Sequence, residues 1–245
     1  MLRSSWGGRI QHTKLIRGPL WFKPTNIVDQ LITFDLLRRQ FKKSLLKNYN
    51  FLPEMPPINE SLNFFRNKNC IKSGPPFSTS HIELTVSVET LRSNLKGQFR
   101  NQLRKAEKDN LSIQDTPNVD YITSGFENLK RRKYFRGPTK QFLESYLGKT
   151  PYIHLHAHKE SSANLADVLF VIHGTTATYL IGLISQEGRT YHAKNLLLWE
   201  ALLRLKSLGV NTVDLGGTHM TRSEKITHFK QGLGGTAFET LPTYV

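Results

Sequence analysis

Cysteine is almost absent from this sequence: Cys70 is the only one in 245 residues. A single thiol excludes a disulfide within the chain and disfavours a zinc site built from thiolates. Free thiols are usual in a reducing compartment, so we expect a cytoplasmic protein without a bound metal.

Long apolar runs are missing as well. The longest ones, such as Val168–Ile172 and Leu196–Trp199, are far shorter than the ~20 residues with which a helix crosses a bilayer. We therefore expect no transmembrane segment, while contact with a membrane surface stays open.

Acidic residues are scarce relative to basic ones. The chain has 34 Lys and Arg against 19 Asp and Glu, a formal net charge of +15 and a pI of about 10.0. Charges in this excess repel one another in the folded state, and an anionic partner would relieve the repulsion. Nucleic acid, a phosphate-rich substrate and a lipid head-group surface are the candidate partners. The alternative is a generally basic protein without such a partner.

The organisation of the chain follows from its turns and periodicities. Residues 48–80 are rich in Pro, Asn and Ser. We therefore predict a first segment over 1–76, with a strand at Leu15–Phe22, a helix at Asn26–Lys47 and a Pro-rich linker, and a second domain over 77–245. The pattern of the second part predicts a strand, helices, an antiparallel set of strands, a long helix, a strand, a short helix and a last strand. The long helix is predicted over Ala193–Leu208, with Gly209 as its C-terminal cap. This order describes a mixed α/β sheet, the arrangement of the GNAT acyltransferase fold.

A basic stripe follows one predicted helix, Val88–Asp109. Its cations recur at four-residue steps, which keeps them on one helical face: Arg92, Lys96, Arg100, Arg104 and Lys108. A neighbouring apolar stripe would pack on the sheet: Leu91, Leu95, Phe99, Leu103 and Ala106. Like charges at this spacing destabilise a helix, so the stripe favours contact with phosphates. A solvated helix face is the alternative.

A second basic cluster, Lys130–Arg136, mixes cations with aromatic rings. Such a mixture suits a nucleic-acid backbone or a pyrophosphate, and Arg132 and Arg136 are its candidate contacts. The alternative is a basic helix end whose cations complement the helix dipole.

Three histidines alternate along one predicted strand, at His154, His156 and His158. Alternation places all three on one face, which could bind a metal, but a straight strand spaces them nearly 7 Å apart. The sequence shows no acidic or thiol ligand beside them. We therefore predict the polar face of an edge strand.

Several catalytic motifs are absent from the sequence. It has no G-x-S-x-G nucleophile motif and no P-loop. A GNAT enzyme that uses acetyl-CoA would carry a glycine-rich pyrophosphate loop before the long helix, where this chain has Gln186–Tyr191 with one glycine. The use of CoA is therefore disfavoured.

Two glycine turns near the C-terminus frame a single lysine. A predicted strand ends at Asp214 and opens into Gly216 and Gly217, and a helical turn carrying Phe229 and Lys230 leads to a second turn. Glycines allow backbone to come close to a ligand, so the two turns mark the mouth of a site.

These segments together resemble the FemABX aminoacyltransferases. The matching residues are Arg100, Arg104–Lys108, Leu197–Leu202, Gly209, Asp214–Gly217, Phe229, Lys230, Leu233 and Gly234, with weaker matches at Arg17–Pro19 and Phe51–Pro53. The resemblance implies a GNAT-like fold and transfer of an amino acid from aminoacyl-tRNA, the co-substrate, to an amine, with no other cofactor. The acceptor would be a peptidoglycan precursor, a peptide or a sugar amine.

The resemblance also implies roles for individual residues. Lys230 would stabilise the oxyanion of the ester under attack, and Phe229 would shape the pocket. The substrate-binding residues would be Arg100, Arg104, Lys105, Lys108, Arg132, Arg136, Asp214, Gly216 and Gly217. The first GNAT-like half is shortened to the segment before residue 77. An acyl-CoA-dependent N-acyltransferase and a non-catalytic RNA-binding relative are the alternative functions. For Lys230 itself, the alternative is a surface lysine on a helix beside a glycine turn.

Overall fold

The computed structural model of the chain describes residues 2–6, 10–18, 25–40, 47–159, 164–217 and 224–245. The strands are β1 (Leu2–Trp6), β2 (Ile10–Gly18), β3 (Lys47–Pro53), β4 (Lys72–Gly74), β5 (Ser78–Glu83), β6 (Ser112–Asp115), β7 (Tyr152–His158), β8 (Ala166–His173), β9 (Thr176–Ile184), β10 (Thr212–Asp214), β11 (Thr236–Glu239) and β12 (Thr243–Tyr244). The helices are α1 (Ile27–Gln40), α2 (Asn59–Asn67), α3 (Val88–Asn94), α4 (Gly97–Lys108), α5 (Val119–Lys133), α6 (Lys140–Leu147), α7 (Gln186–Thr190), α8 (Ala193–Ser207) and α9 (Glu224–Gln231).

The chain divides into two compact units. The first comprises Met1–Ser78 together with Phe238–Val245, and the second comprises Thr79–Ala237. The last eight residues thus belong to the unit formed by the N-terminal segment.

The first unit is built on a five-stranded sheet of order β1-β2-β3-β12-β4. Strands β2 and β3 run parallel, and β12 pairs antiparallel with both β3 and β4. An aromatic core fills this unit, with Phe65 stacked on Tyr244 at a centroid distance of 4.3 Å and Phe34 5.0 Å from Phe65. The C-terminal strand therefore completes the core of the N-terminal segment.

The stretch 48–80 is not a linker, and that part of the prediction is corrected. It contains most of β3, all of α2 and β4, and the start of β5. Its prolines stand at or between element ends, at Pro53, Pro56, Pro57, Pro75 and Pro76. Proline is tolerated at such positions, so it separates short elements here and does not prevent them. The helix predicted to reach Lys47 is described as far as Gln40, and Lys47 already belongs to β3. Of the predicted strand Leu15–Phe22, residues 19–22 lie outside the described part.

The second unit carries a seven-stranded sheet of order β11-β5-β10-β9-β8-β7-β6. Strands β10 and β9 are parallel, whereas β5 with β10 and all pairs from β9 to β6 are antiparallel. Alternate residues of β8 point to opposite faces of the sheet. Val168 and Phe170 pack with α3, α4 and α8, and Leu169 and Val171 pack with α5 and α6. The mixed α/β prediction is confirmed. Within the described helices, none has the length and apolar character to cross a membrane.

The single helix predicted over Val88–Asp109 is two helices. Helix α3 ends at Asn94, Leu95 is extended with ψ 133°, and α4 begins at Gly97. The backbone N–H of Lys96 donates to the carbonyl of Gly232 at 2.9 Å, which fixes the break. The predicted apolar stripe is nevertheless confirmed, because all five of its members are buried: Leu91, Leu95, Phe99, Leu103 and Ala106.

Candidate active site

The site begins where two parallel strands separate. Strand β9 pairs with β10 only from Thr176 to Thr178 and then continues to Ile184. Strand β10 ends at Asp214, and the chain turns at Gly216. From Tyr179 onward, β9 therefore runs beside a turn instead of a strand, which opens the sheet at this point.

A carboxylate holds the turn in place. The Oδ1 of Asp214 accepts hydrogen bonds from the Gly216 N–H at 2.8 Å and from the Thr79 hydroxyl. Gly216 has a φ of 70°, which disfavours any residue with a side chain. A Cβ at this position would lie 3.2 Å from the Tyr179 carbonyl oxygen. Asp214 is thus placed to shape the turn, and its contact with a substrate stays a prediction.

Lys230 is buried against this turn. Lys230 is 8% exposed, and its Nζ donates a hydrogen bond to the Gly217 carbonyl at 3.0 Å. The Nζ also lies 5.8 Å from the centre of the Tyr179 ring. Burial lowers the pKa of Lys230 to about 8, although the charge of Asp214 acts in the opposite direction. The interpretation of Lys230 as a surface lysine is wrong.

Phe229 lies beside Lys230 on α9 and packs on α4. Its ring is 5.7 Å from the ring of Phe99. Lys194 also contacts Phe229, with its Nζ 4.4 Å from the ring centre. Sequence reasoning missed Lys194, because a lysine in the first turn of a long helix carries no pattern that separates it from a surface residue. Only the packing of α8 beside α9 reveals it.

The cations of α4 are open to solvent. Arg104, Lys105 and Lys108 are exposed and Arg100 is half-buried. Across the described ranges, none of the four forms an ion pair. Arg92 differs, because its guanidinium makes a bidentate pair with Glu107 at 2.7 and 2.8 Å and covers the Trp199 ring. Arg92 lies on α3, before the break, and its charge is paired, so it differs from the four unpaired cations of α4.

The second basic cluster lies elsewhere. Arg132 lies in the last turn of α5 and Arg136 follows the helix, and both are exposed. Helix α5 packs on the face of the sheet opposite to α4 and α8. Lys130 of the same cluster is engaged, with its Nζ 2.7 Å from both Glu127 and the Pro138 carbonyl. The structure does not bring this cluster together with the cations of α4 on one face.

The three histidines do not lie on an edge strand, which corrects that prediction. Strand β7 lies between β6 and β8, and His156 is paired in register with Asp167. His154 and His156 approach the same Oδ1 of Asp167 at 3.1 and 3.2 Å. Burial raises the pKa of Asp167, but hydrogen bonds from the two histidines and from Asn164 outweigh it and hold that pKa below its usual range. Among the residues with described placement, no group of three or more His, Cys, Asp or Glu could hold a metal ion.

The mixed sheet, its separated parallel strands and the lysine between them define a GNAT-like acyltransferase architecture. Residues 77–244 match the model of the FemAB family. The chain belongs to this family, which places it among the acyltransferases.

Solved structures show the same fold at low sequence identity. The structure of FemX matches with a TM-score of 0.77 and 12% identity over 99% of this chain and 82% of that one. The C-terminal domain of an Agrobacterium fabrum protein named as a lysylphosphatidylglycerol synthetase matches with a TM-score of 0.62 and 14% identity, over 99% of this chain and 79% of that one. L-PGS from Bacillus licheniformis matches with a TM-score of 0.54 and 12% identity, over 97% and 78%. A sequence search of curated proteins finds no match.

Proposed function

We propose that this protein transfers an amino acid from aminoacyl-tRNA to an acceptor amine and forms an amide. The observation that carries the proposal is the buried ammonium of Lys230 at the point where β9 and β10 separate. Membership of the FemAB family supports it. One similar structure is named as a lysylphosphatidylglycerol synthetase, so a lipid is tested beside peptides and sugars.

The reaction needs positioning and charge stabilisation more than a strong nucleophile. The ester between an amino acid and tRNA is already activated. The acceptor nitrogen forms a bond to the ester carbon, the carbonyl oxygen becomes an oxyanion, and the carbon–oxygen bond to the ribose then breaks. A primary ammonium loses two of its three protons, one to the solvent and one to the ribose oxygen, so the products are an amide that keeps one N–H and tRNA with a free hydroxyl. An ammonium beside the carbonyl oxygen lowers the barrier because the charge develops there.

Lys230 has the hydrogen-bonding capacity for this role. An ammonium has three N–H donors, and one of them is directed at the Gly217 carbonyl at 3.0 Å. Within the described residues the other two have no hydrogen-bond partner, and they would meet an oxygen placed beside Tyr179. Phe229 supports the lysine from the same helix through its contact with Phe99.

RNA would be held by the unpaired cations of α4: Arg100, Arg104, Lys105 and Lys108. They lie on the face of the sheet that also carries α8. Arg132 and Arg136 lie on the other face, and their contact with the same RNA stays a prediction.

The segment before α8 favours RNA over CoA as the donor. Residues Gln186–Thr190 form the short helix α7 in place of a glycine-rich loop. A Cβ on Gly188 would lie 2.0 Å from the carbonyl oxygen of Leu165, so this glycine is used for packing. An extended loop of backbone N–H groups for a pyrophosphate is not formed here.

The proposal is tested with a mixed pool of tRNAs charged with labelled amino acids. The expected result is transfer of label to an acceptor amine that disappears when the pool is first treated with RNase. Peptides and amino sugars are supplied as separate amine acceptors. Vesicles containing phosphatidylglycerol are supplied as a hydroxyl acceptor, on which transfer would form an ester, and transfer to this lipid alone would contradict amide formation. Transfer from acyl-CoA with none from any aminoacyl-tRNA would contradict the proposal.

The salt dependence of RNA binding provides a separate prediction. Replacing both Arg100 and Arg104 by Gln should weaken tRNA binding and make the slope of log K against log[salt] shallower by roughly 1 to 2, because each phosphate contact contributes about 0.7 to 0.9. Filter binding or fluorescence anisotropy at several salt concentrations measures it.

Arg92→Gln is the matched control, since its charge is already paired with Glu107. This variant should leave the slope unchanged. Equal slopes for the double variant and the wild type would exclude α4 as the RNA-binding face.

A further inference from the structure

A second lysine shares the surroundings of Lys230. Lys194 is the second residue of α8, and its Nζ lies 4.4 Å from the centre of the Phe229 ring. Phe229 directly precedes Lys230 on α9. Lys194 therefore contacts the residue beside Lys230, and the positive charge of Lys230 acts on it.

Lys194 has no anionic counterpart within the described ranges. Its Nζ lies over the Phe229 ring and, among the described residues, forms no hydrogen bond or ion pair. The next residue, Asn195, is engaged instead, since its side-chain amide donates to Gln102 at 3.2 Å. An amine that is half-buried and unpaired beside a second ammonium is poorly stabilised in its charged form.

The charged groups that act on Lys194 come from two neighbouring helices. Its pKa is lowered to about 8, first by burial and then by the positive charges of Arg189 on α7 and Lys230 on α9. The groups around Lys230 are the Asp214 carboxylate and the Tyr179 ring. Burial raises the pKa of the Tyr179 hydroxyl. About half of Lys194 is thus the free amine near pH 8.

We infer that Lys194 is the general base of the transfer, which takes a proton from the ammonium of the acceptor. The inference rests on the proposed function and assigns the two lysines opposite tasks. Lys194 acts as a free amine at the nucleophile, and Lys230 acts as an ammonium at the carbonyl oxygen. Asp214 does not fill the first role, because its carboxylate accepts hydrogen bonds from Gly216 and Thr79.

The proton balance of this step is complete. The acceptor enters as R–NH3⁺, and Lys194 takes one proton and becomes charged. The resulting amine forms the carbon–nitrogen bond, and the carbon–oxygen bond to the ribose breaks. The second nitrogen proton passes to the ribose oxygen, which leaves as a hydroxyl. Lys194 then returns its proton to the solvent, and an amide remains.

The two roles predict a bell-shaped pH dependence of kcat/KM for the acceptor. The rate rises with pH as Lys194 loses its proton and falls again as Lys230 loses its own, with both limbs near pH 8. With an acceptor amine of pKa about 10, the rising limb of the wild type still lies near 8. When Lys194 is replaced, the rising limb shifts upward to the pKa of the acceptor amine.

Lys194→Arg separates a base from a simple cation. Arginine keeps the charge but stays protonated at every accessible pH, so it cannot accept the proton. Lys194→Arg and Lys194→Met should both lower kcat at pH 8 by roughly 10²- to 10⁴-fold. Both variants should also lose the rising limb of the pH profile near pH 8. Lys159→Met is the matched control, because its Nζ lies over the Tyr191 ring at the same 4.4 Å, and it should keep the wild-type rate and profile.

Each outcome bears on one claim. Lys194→Arg with a rate within threefold of the wild type overturns the base and leaves transfer from tRNA intact. A wild type that transfers from no aminoacyl-tRNA overturns the proposed function, and the base with it.

A measurement without turnover completes the test. Acetylation of each lysine by a limiting reagent is followed against pH by mass spectrometry, with and without adenosine carrying an amide-linked amino acid at its 3′ position. Lys194 should react with a midpoint near pH 8 and be protected by the analogue, while exposed Lys105 should not be protected. Equal reactivity of Lys194 with and without the analogue overturns its place in the site.

Discussion

Replacing Lys230 by Met should lower the rate of amino-acid transfer by about 10²- to 10³-fold, the loss that follows removal of one oxyanion donor. Met removes the ammonium but retains an apolar side chain of similar length, so the cavity left behind is small. The affinity for tRNA should stay within about twofold, since the phosphate contacts are assigned to α4. Single-turnover transfer and tRNA binding are measured on the same preparation.

Lys130→Met is the control for burial of a lysine. Lys130 is also 8% exposed, and its Nζ also donates to a backbone carbonyl, that of Pro138 at 2.7 Å. It lies on α5, on the other face of the sheet. This variant should lose stability without a change in transfer rate at a temperature where it is folded. A Lys230→Met enzyme with more than a third of the wild-type rate would remove Lys230 from the mechanism.

Gly216→Ala should reduce transfer by at least tenfold. Its φ of 70° makes alanine unfavourable by roughly 1 to 2 kcal/mol. In addition, the new methyl group would lie 3.2 Å from the Tyr179 carbonyl oxygen and 3.6 Å from the Nζ of Lys230. The turn must then shift and displace the ammonium, and a misplacement of about 1 Å at a catalytic group costs up to about 10²-fold. Thermal unfolding and transfer kinetics are measured together.

Gly209→Ala is a control with the same backbone strain. Gly209 has a φ of 79° after α8, and a Cβ there meets nothing within 4 Å. Both variants should lose a similar free energy of unfolding, but only Gly216→Ala should lose activity. Equal activity of the two variants would show that the Gly216 turn does not position Lys230.

The main elements of the second unit could be predicted because each depends on local pattern. The buried stripe of α4 and the closure of α8 at Gly209 followed from periodicity and turn residues. The site around Lys230 could be located for the same reason. Backbone at positive φ favours glycine, so the two turns are visible in the sequence as glycines.

The remaining features depend on contacts between distant segments. The break before α4 is fixed by the carbonyl of Gly232, far away in the chain. The burial of His154 depends on the place of β7 inside the sheet. Lys194 gains its surroundings from Phe229, and the division of the two basic clusters between opposite faces depends on which helix covers which side. Residue spacing along the chain contains none of this information.

The central claim is that the carbonyl oxygen of the aminoacyl ester meets Lys230 between β9 and β10. The direct measurement is a structure of the protein with adenosine that carries an amide-linked amino acid at its 3′ position, a stable analogue of the tRNA end. The account predicts that the amide oxygen lies about 2.7 to 3.1 Å from the Nζ of Lys230, beside the Gly216 turn. An analogue bound elsewhere, with Lys230 still directed only at Gly217, would contradict it.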